Sequence, residues 1–146
     1  MFKTLLIPID EFSLKEANLR KIRVLVKKAQ ASVVLVHVSN PTPPSVYKPN
    51  GHGTTYISLS DHLKACEAHS EQLFHRFSKA LGRHAAPKRL HLYHSDASAG
   101  ILEAAKKVRA DLILMASHHY PPVFGITSAS DIYRVTASAT YPVLVC

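Results

Sequence analysis

The chain has 146 residues, 47% of them hydrophobic and 19% charged, which suits one domain spanning 1–146 and excludes a chain disordered throughout. Its formal charge of +8 raises nucleic acid as a partner. The cations are spread over three segments around Lys15–Lys28, Lys88–Arg89 and Lys106–Arg109, without interleaved stacking aromatics, so solvated helix faces are expected instead.

Taken in chain order, residues 4–9 form a continuous apolar run that ends at Asp10. The opening stretch lacks a small-residue cleavage site and reads as a first strand rather than a signal peptide. Ile22, Leu25, Val26 and Ala29 then follow the i, i+3, i+4, i+7 rhythm of an amphipathic helix. A second strand is predicted over 33–38, and the segment 39–58, rich in proline and glycine, reads as a long loop. Leu63, Cys66, Leu73, Phe74, Phe77 and Leu81 mark a longer helix that Gly82 would stop. Residues 90–93 make a weaker, alternating strand, followed by a helix carrying Ile101, Ala105 and Val108 with Ser98 as its expected N-cap. A fourth strand is predicted over 111–116, a short helix over 129–139 with Ile132, Val135 and Ala139 inward, and a last strand over 142–145.

Continuous apolar runs alternating with helices predict an α/β fold with a five-stranded parallel sheet in a three-layer sandwich. Ligands of such sheets bind beyond the C-terminal strand ends. No apolar run approaches the ~20 residues that span a bilayer, so a cytoplasmic protein without membrane contact is expected.

Cys66 and Cys146 form no C-x-x-C pair, and reduced thiols are expected. Ten histidines are many for this length. His62, Cys66 and His69 would share one helix face with soft ligands for Zn²⁺, but no fourth ligand is evident and a packed cysteine flanked by histidines is the expectation. His118 and His119 are read as loop histidines rather than a metal pair. No G-x-S-x-G elbow, H-E-x-x-H or Walker lysine motif occurs, and no metal or catalytic residue is assigned.

Segments in order carry a resemblance to the universal stress protein family over nearly all of the chain: Lys3–Asp10, Val33–Val38, Ala110–His118 and Tyr141–Val145. The resemblance implies an adenine-nucleotide alpha-hydrolase-like, doubly wound fold. The family's nucleotide-binding members carry G-x2-G-x9-G-[ST] after the fourth strand, where glycines let the backbone approach phosphates. Here that spacing places Ala116, His119 and Ala129 at the glycine positions and Ser130 at the last, and counting back from Pro142 gives the same register. Gly125 lies four residues early, Asp131 would repel phosphate, and Pro121 and Pro122 remove two donors.

The adenosine side is better kept, since Pro8, Asp10 and Val38 match the family's base and ribose residues, with Met115 beside Ala116 on the fourth strand. The resemblance thus implies a non-catalytic stress-response protein without tight ATP binding, with ATP or AMP as the ligand to test. The alternative is an ATP/AMP-binding switch or weak ATPase using Asp10, Val38, Gly125 and Ser130. A third reading is a basic nucleic-acid module. The apolar run Val143–Val145 would leave a sheet edge, and family members pair this strand across a two-fold axis, so a homodimer through Tyr141–Cys146 is expected.

Overall fold

Strand side chains alternate between the two faces of a sheet, and in this chain both sets are apolar, so the sheet must be covered on both sides. A computed structural model describes residues 1–47, 54–83, 85–117 and 128–146. The elements run β1 (Thr4–Pro8), α1 (Glu16–Ala29), β2 (Ser32–Ser39), β3 (Ser45–Tyr47), β4 (Thr54–Tyr56), α2 (Leu59–Leu81), β5 (Lys88–Tyr93), α3 (Ala97–Val108), β6 (Leu112–Met115), α4 (Ser128–Ser138) and β7 (Val143–Val145). Five strands form one parallel sheet in the order β5-β2-β1-β6-β7.

Leu5 and Ile7 of β1, Leu35 of β2 and Leu114 of β6 face Leu19 and Ile22 of α1 and Leu73, Phe74 and Phe77 of α2. Leu6, Val36, Ile113 and Met115 face the other way, onto Ile101, Ala104 and Ala105 of α3 and Val135 of α4. Helices therefore cover both faces, giving the three-layer α/β sandwich expected from the runs.

The helix ends follow local chemistry. Glu16 opens α1 and Lys27 and Lys28 close it, each sign complementing the helix dipole. The Ser58 hydroxyl accepts from Asp61 N at 3.1 Å and caps α2. That helix stops at Gly82, whose φ of 84° suits a residue without a side chain.

Three expectations need correction. The cap of α3 is Asp96, not Ser98: the Asp96 carboxylate accepts from Ser98 N at 3.1 Å and from the Ser98 hydroxyl at 2.7 Å. The segment 39–58 is not purely a loop, because β3 and β4 pair antiparallel within it, Ser45 opposite Tyr56 and Tyr47 opposite Thr54. Its composition there is β-branched and aromatic, which favours strand. The third sheet strand begins at Lys88 rather than residue 90.

Among the described residues no helix is long and apolar enough to cross a membrane.

Candidate functional site: a cleft at the strand ends

The chain fills the sheet from β1 outward through β2 to β5, then returns across to β6 and β7. The direction of winding reverses between β1 and β6, and such a reversal leaves a crevice at the carboxyl ends of the strands. The β1–β6 register runs only through Leu5 and Leu6, so Pro8, which has no N–H, ends β1 where that ladder has already stopped. Ile9 N still donates to Val36 O at 2.8 Å, holding β1 to β2.

A cleft of about 110 Å³ opens there. Pro8 at the end of β1 and Ile9 and Asp10 just after it line the cleft, with Val36, His37 and Val38 of β2, Met115 at the end of β6 and Ala116 just after it. Ala97 and Ile101 of α3 and Asp131 and Ile132 of α4 complete the walls. Five of the residues singled out in the sequence, Pro8, Asp10, Val38, Met115 and Ala116, thus meet in one place. Ala129 and Ser130 lie in the first turn of α4, directly before Asp131. His119 and Gly125 lie outside the described residues.

The turn after β1 is fixed by a reciprocal exchange. Asp10 N donates to Ser13 Oγ at 2.9 Å, Ser13 N donates to Asp10 Oδ1 at 2.8 Å, and the Ser13 hydroxyl donates to Asp10 O at 2.7 Å. Asp10 is therefore oriented by its own loop, with Ser13 fully buried beneath it. Asn18 Nδ2 donates to Phe12 O at 3.1 Å and reaches Ser117 O at 3.4 Å, tying this turn to the end of β6. On the α3 side, Asp96 lies 3.8 Å from Arg134 of α4, and its hydrogen bonds to Ser98 hold its carboxyl below the usual range.

Val38 is held by a close helix–sheet approach. A Cβ placed on Gly100 would meet Val38 Cγ1 at 2.7 Å and His94 Cβ at 3.2 Å, so only glycine lets α3 sit this near the cleft wall. Gly100→Ala gains about 1 kcal/mol of helix propensity but overpacks the contact by about 1–3 kcal/mol. A net loss of about 1 kcal/mol is expected in urea unfolding, and an unchanged or raised stability would show that Val38 moves aside freely.

His37 is a titratable lining residue that sequence reasoning did not single out. Its Nδ1 lies 2.5 Å from Ser70 Oγ of α2. Its ring stacks on His91 of β5 at 5.7 Å and meets His69 of α2 edge-on at 5.6 Å. Burial above all, then the neighbouring His91 and His69, lower its pKa to about 4, against a smaller opposing pull from Asp10. The signal available was the His37↔His91 register, which needs the β2–β5 pairing to be known.

Of His62, Cys66 and His69, the first two meet and the third turns to another partner. His62 Nε2 bonds Asn40 O at 2.8 Å and lies 3.5 Å from Cys66 Sγ, while His69 Nε2 lies 3.9 Å from Glu11 Oε1. Among the described residues no three His, Cys, Asp or Glu side chains form a group able to hold a metal ion. At the far edge of the sheet, Leu144 and Val145 of β7 are 38% and 41% exposed.

A model of the universal stress protein family matches residues 1–146. No curated protein matches the chain. Among solved structures, the chain is similar to universal stress protein UspA from Lactobacillus plantarum, with 19% identity, a TM-score of 0.73, and 98% of this chain and 96% of that one covered. It is similar to a protein of the universal stress protein family from Burkholderia pseudomallei, with 20% identity, a TM-score of 0.68, and 99% and 95% covered. It is also similar to the universal stress protein from Archaeoglobus fulgidus in complex with dAMP, with 17% identity, a TM-score of 0.58, and 98% and 96% covered.

Proposed function

The chain belongs to the universal stress protein family, and on that footing we propose that it is a non-catalytic, cytoplasmic stress-response protein. In this reading residues 1–146 are one domain that works as a homodimer. It does not bind ATP tightly, and the strand-end cleft takes the adenosine part of an adenine nucleotide weakly. The fold is the adenine-nucleotide alpha-hydrolase-like one shared with the family's solved structures.

The observation that carries the reading is the cleft itself. Pro8, Asp10 and Val38 stand together where a base and ribose would lie, but the space is about 110 Å³, well below the ~300 Å³ at the small end of ordinary ligand sites. The phosphate side supports the same conclusion. Alanine stands at 116 and 129 where glycine would let backbone N–H groups approach an anion, and Asp131 adds negative charge at the start of α4. The relative bound to dAMP supports a monophosphate over a triphosphate as the ligand to try first. The exposed apolar edge of β7 supports two-fold pairing through Tyr141–Cys146, which would bury Leu144 and Val145.

Native mass spectrometry with AMP and ATP tests the whole reading at once. The expected spectrum shows twice the chain mass, partial occupancy by AMP at tens of micromolar, and ATP held no better than AMP. Saturation by ATP near 1 μM, a binding free energy of about −8 kcal/mol, overturns the nucleotide part. A monomer at the same concentration overturns the dimer.

A further inference from the structure

Helix α2 has 23 residues, and its buried ones, Ser70, Leu73, Phe74 and Phe77, all lie in the C-terminal half. The half before Ser70 has no fully buried side chain; Leu63 and Cys66 are only half-buried. Polar links hold this half down: His62 Nε2 donates to Asn40 O, and Tyr93 OH donates to Leu63 O at 3.4 Å. Beneath its end, where an apolar contact would be ordinary, the sheet presents His37 from β2 and His91 from β5. Both imidazoles accept or donate to a hydroxyl, His37 to Ser70 and His91 to Ser39 at 2.8 Å.

We propose that this His37–His69–His91 cluster is a pH-sensitive latch, which keeps the N-terminal half of α2 on the sheet at neutral pH and releases it on acidification.

The charges around the cluster favour this behaviour. His37 faces His91 on β5, His69 on α2 and Asp10 after β1. His91 faces Glu67 and Glu71 of α2, yet burial outweighs them and its pKa is lowered. Two of the nearby carboxylates are shared with arginines, Glu11 with Arg76 and Glu71 with Arg89. A proton placed on His37 therefore sits among imidazoles with little anionic relief. Lifting residues 59–70 away removes His69 and Ser70 from the ring and exposes it, which raises the His37 pKa toward the solvent value near 6.5 while His91 stays beside it. The released state then gains population as pH falls below that value, by at most about tenfold per pH unit, down to the folded pKa. The apolar side chains Leu73, Phe74 and Phe77 keep the C-terminal half in place. This inference does not depend on what the cleft binds.

Hydrogen exchange of the full chain at pH 7.5, 6.5 and 5, corrected for the intrinsic pH dependence of exchange, tests the latch. Peptides within 59–69 should exchange severalfold, and at most about tenfold, faster per pH unit below about 6.5, while those within 73–81 keep their protection. A double substitution, His37→Gln with His91→Gln, should remove that difference. Equal protection at all three pH values, uniform loosening of the whole of α2, or an unchanged pH response in the folded double variant overturns the proposal. If the double variant does not fold, the wild-type comparison between the two halves decides alone.

Discussion

Replacing Phe77 by alanine will lower the free energy of unfolding by about 3–5 kcal/mol, whereas Leu63→Ala on the same helix will cost about 1 kcal/mol or less. Phe77 is fully buried on the face of the sheet shared by Leu5, Ile7 and Leu35. Truncating it removes an aromatic ring and leaves a void between helix and strands that close-packed neighbours cannot fill. Leu63 is only half-buried, at the end of the helix whose attachments are polar. A loss of about 3–5 kcal/mol is a fifth or more of the stability of an ordinary domain, so Phe77→Ala should move the urea midpoint far enough to read without ambiguity. Equal losses at the two positions would mean that α2 is gripped evenly along its length, and would remove the packing basis for a helix that opens from one end.

Strands β1, β2 and β6 were legible because burial on both faces leaves no room for polar alternation, and the run itself is the signal. Strand β5 lies at the edge of the sheet, half-buried or exposed along its length, and its apolar pattern is correspondingly thin. Strands β3 and β4 have three residues each, too few to show any period, and they sit among prolines and glycines that argue for a loop. The cap of α3 turned on which of two good capping residues keeps an extended backbone. Asp96 does, with φ −118° and ψ 114°, while Ser98 is already helical.

The site divides in the same way. Pro8, Asp10, Val38, Met115 and Ala116 all lie at or within two residues of a strand's carboxyl end, and a parallel sheet places those ends side by side, so their meeting follows from topology. Ser13, Ile101 and Ile132 join them only through the way helices α3 and α4 and the first turn pack, which no local pattern encodes. The histidines show the limit most clearly. Spacing along one helix groups His62, Cys66 and His69, because periodicity compares residues of a single element. The grouping that forms joins His37, His69 and His91 from three elements, through a strand register and a helix docking.

Stability will fall as the pH is lowered from about 6.5 to about 4, and His37→Gln will flatten that fall. The folded pKa of His37 is about 4 and the unfolded value near 6.5. Between these values the unfolded chain binds a proton that the native protein excludes, so stability rises with pH across the window and is lost as pH falls through it. His91, also lowered, acts in the same direction. Discounted for the partial exposure of the ring, the His37 contribution is about 2 kcal/mol. Carboxylates act in a different window. Asp111, held low by accepting from the backbone N–H groups of Thr4 and Lys3, and Asp96, held low by Ser98, stabilise the fold above their unfolded value. Their contribution is lost only as pH drops below about 4. Urea titrations at pH 7.5, 6.5, 5.5 and 4.5 therefore isolate the imidazoles. Wild type should lose stability steadily over the last three points, and His37→Gln should lose about 2 kcal/mol less between the extremes. Parallel curves for the two proteins would show that His37 carries its proton in the fold as readily as in the unfolded chain, and that the acid sensitivity lies elsewhere.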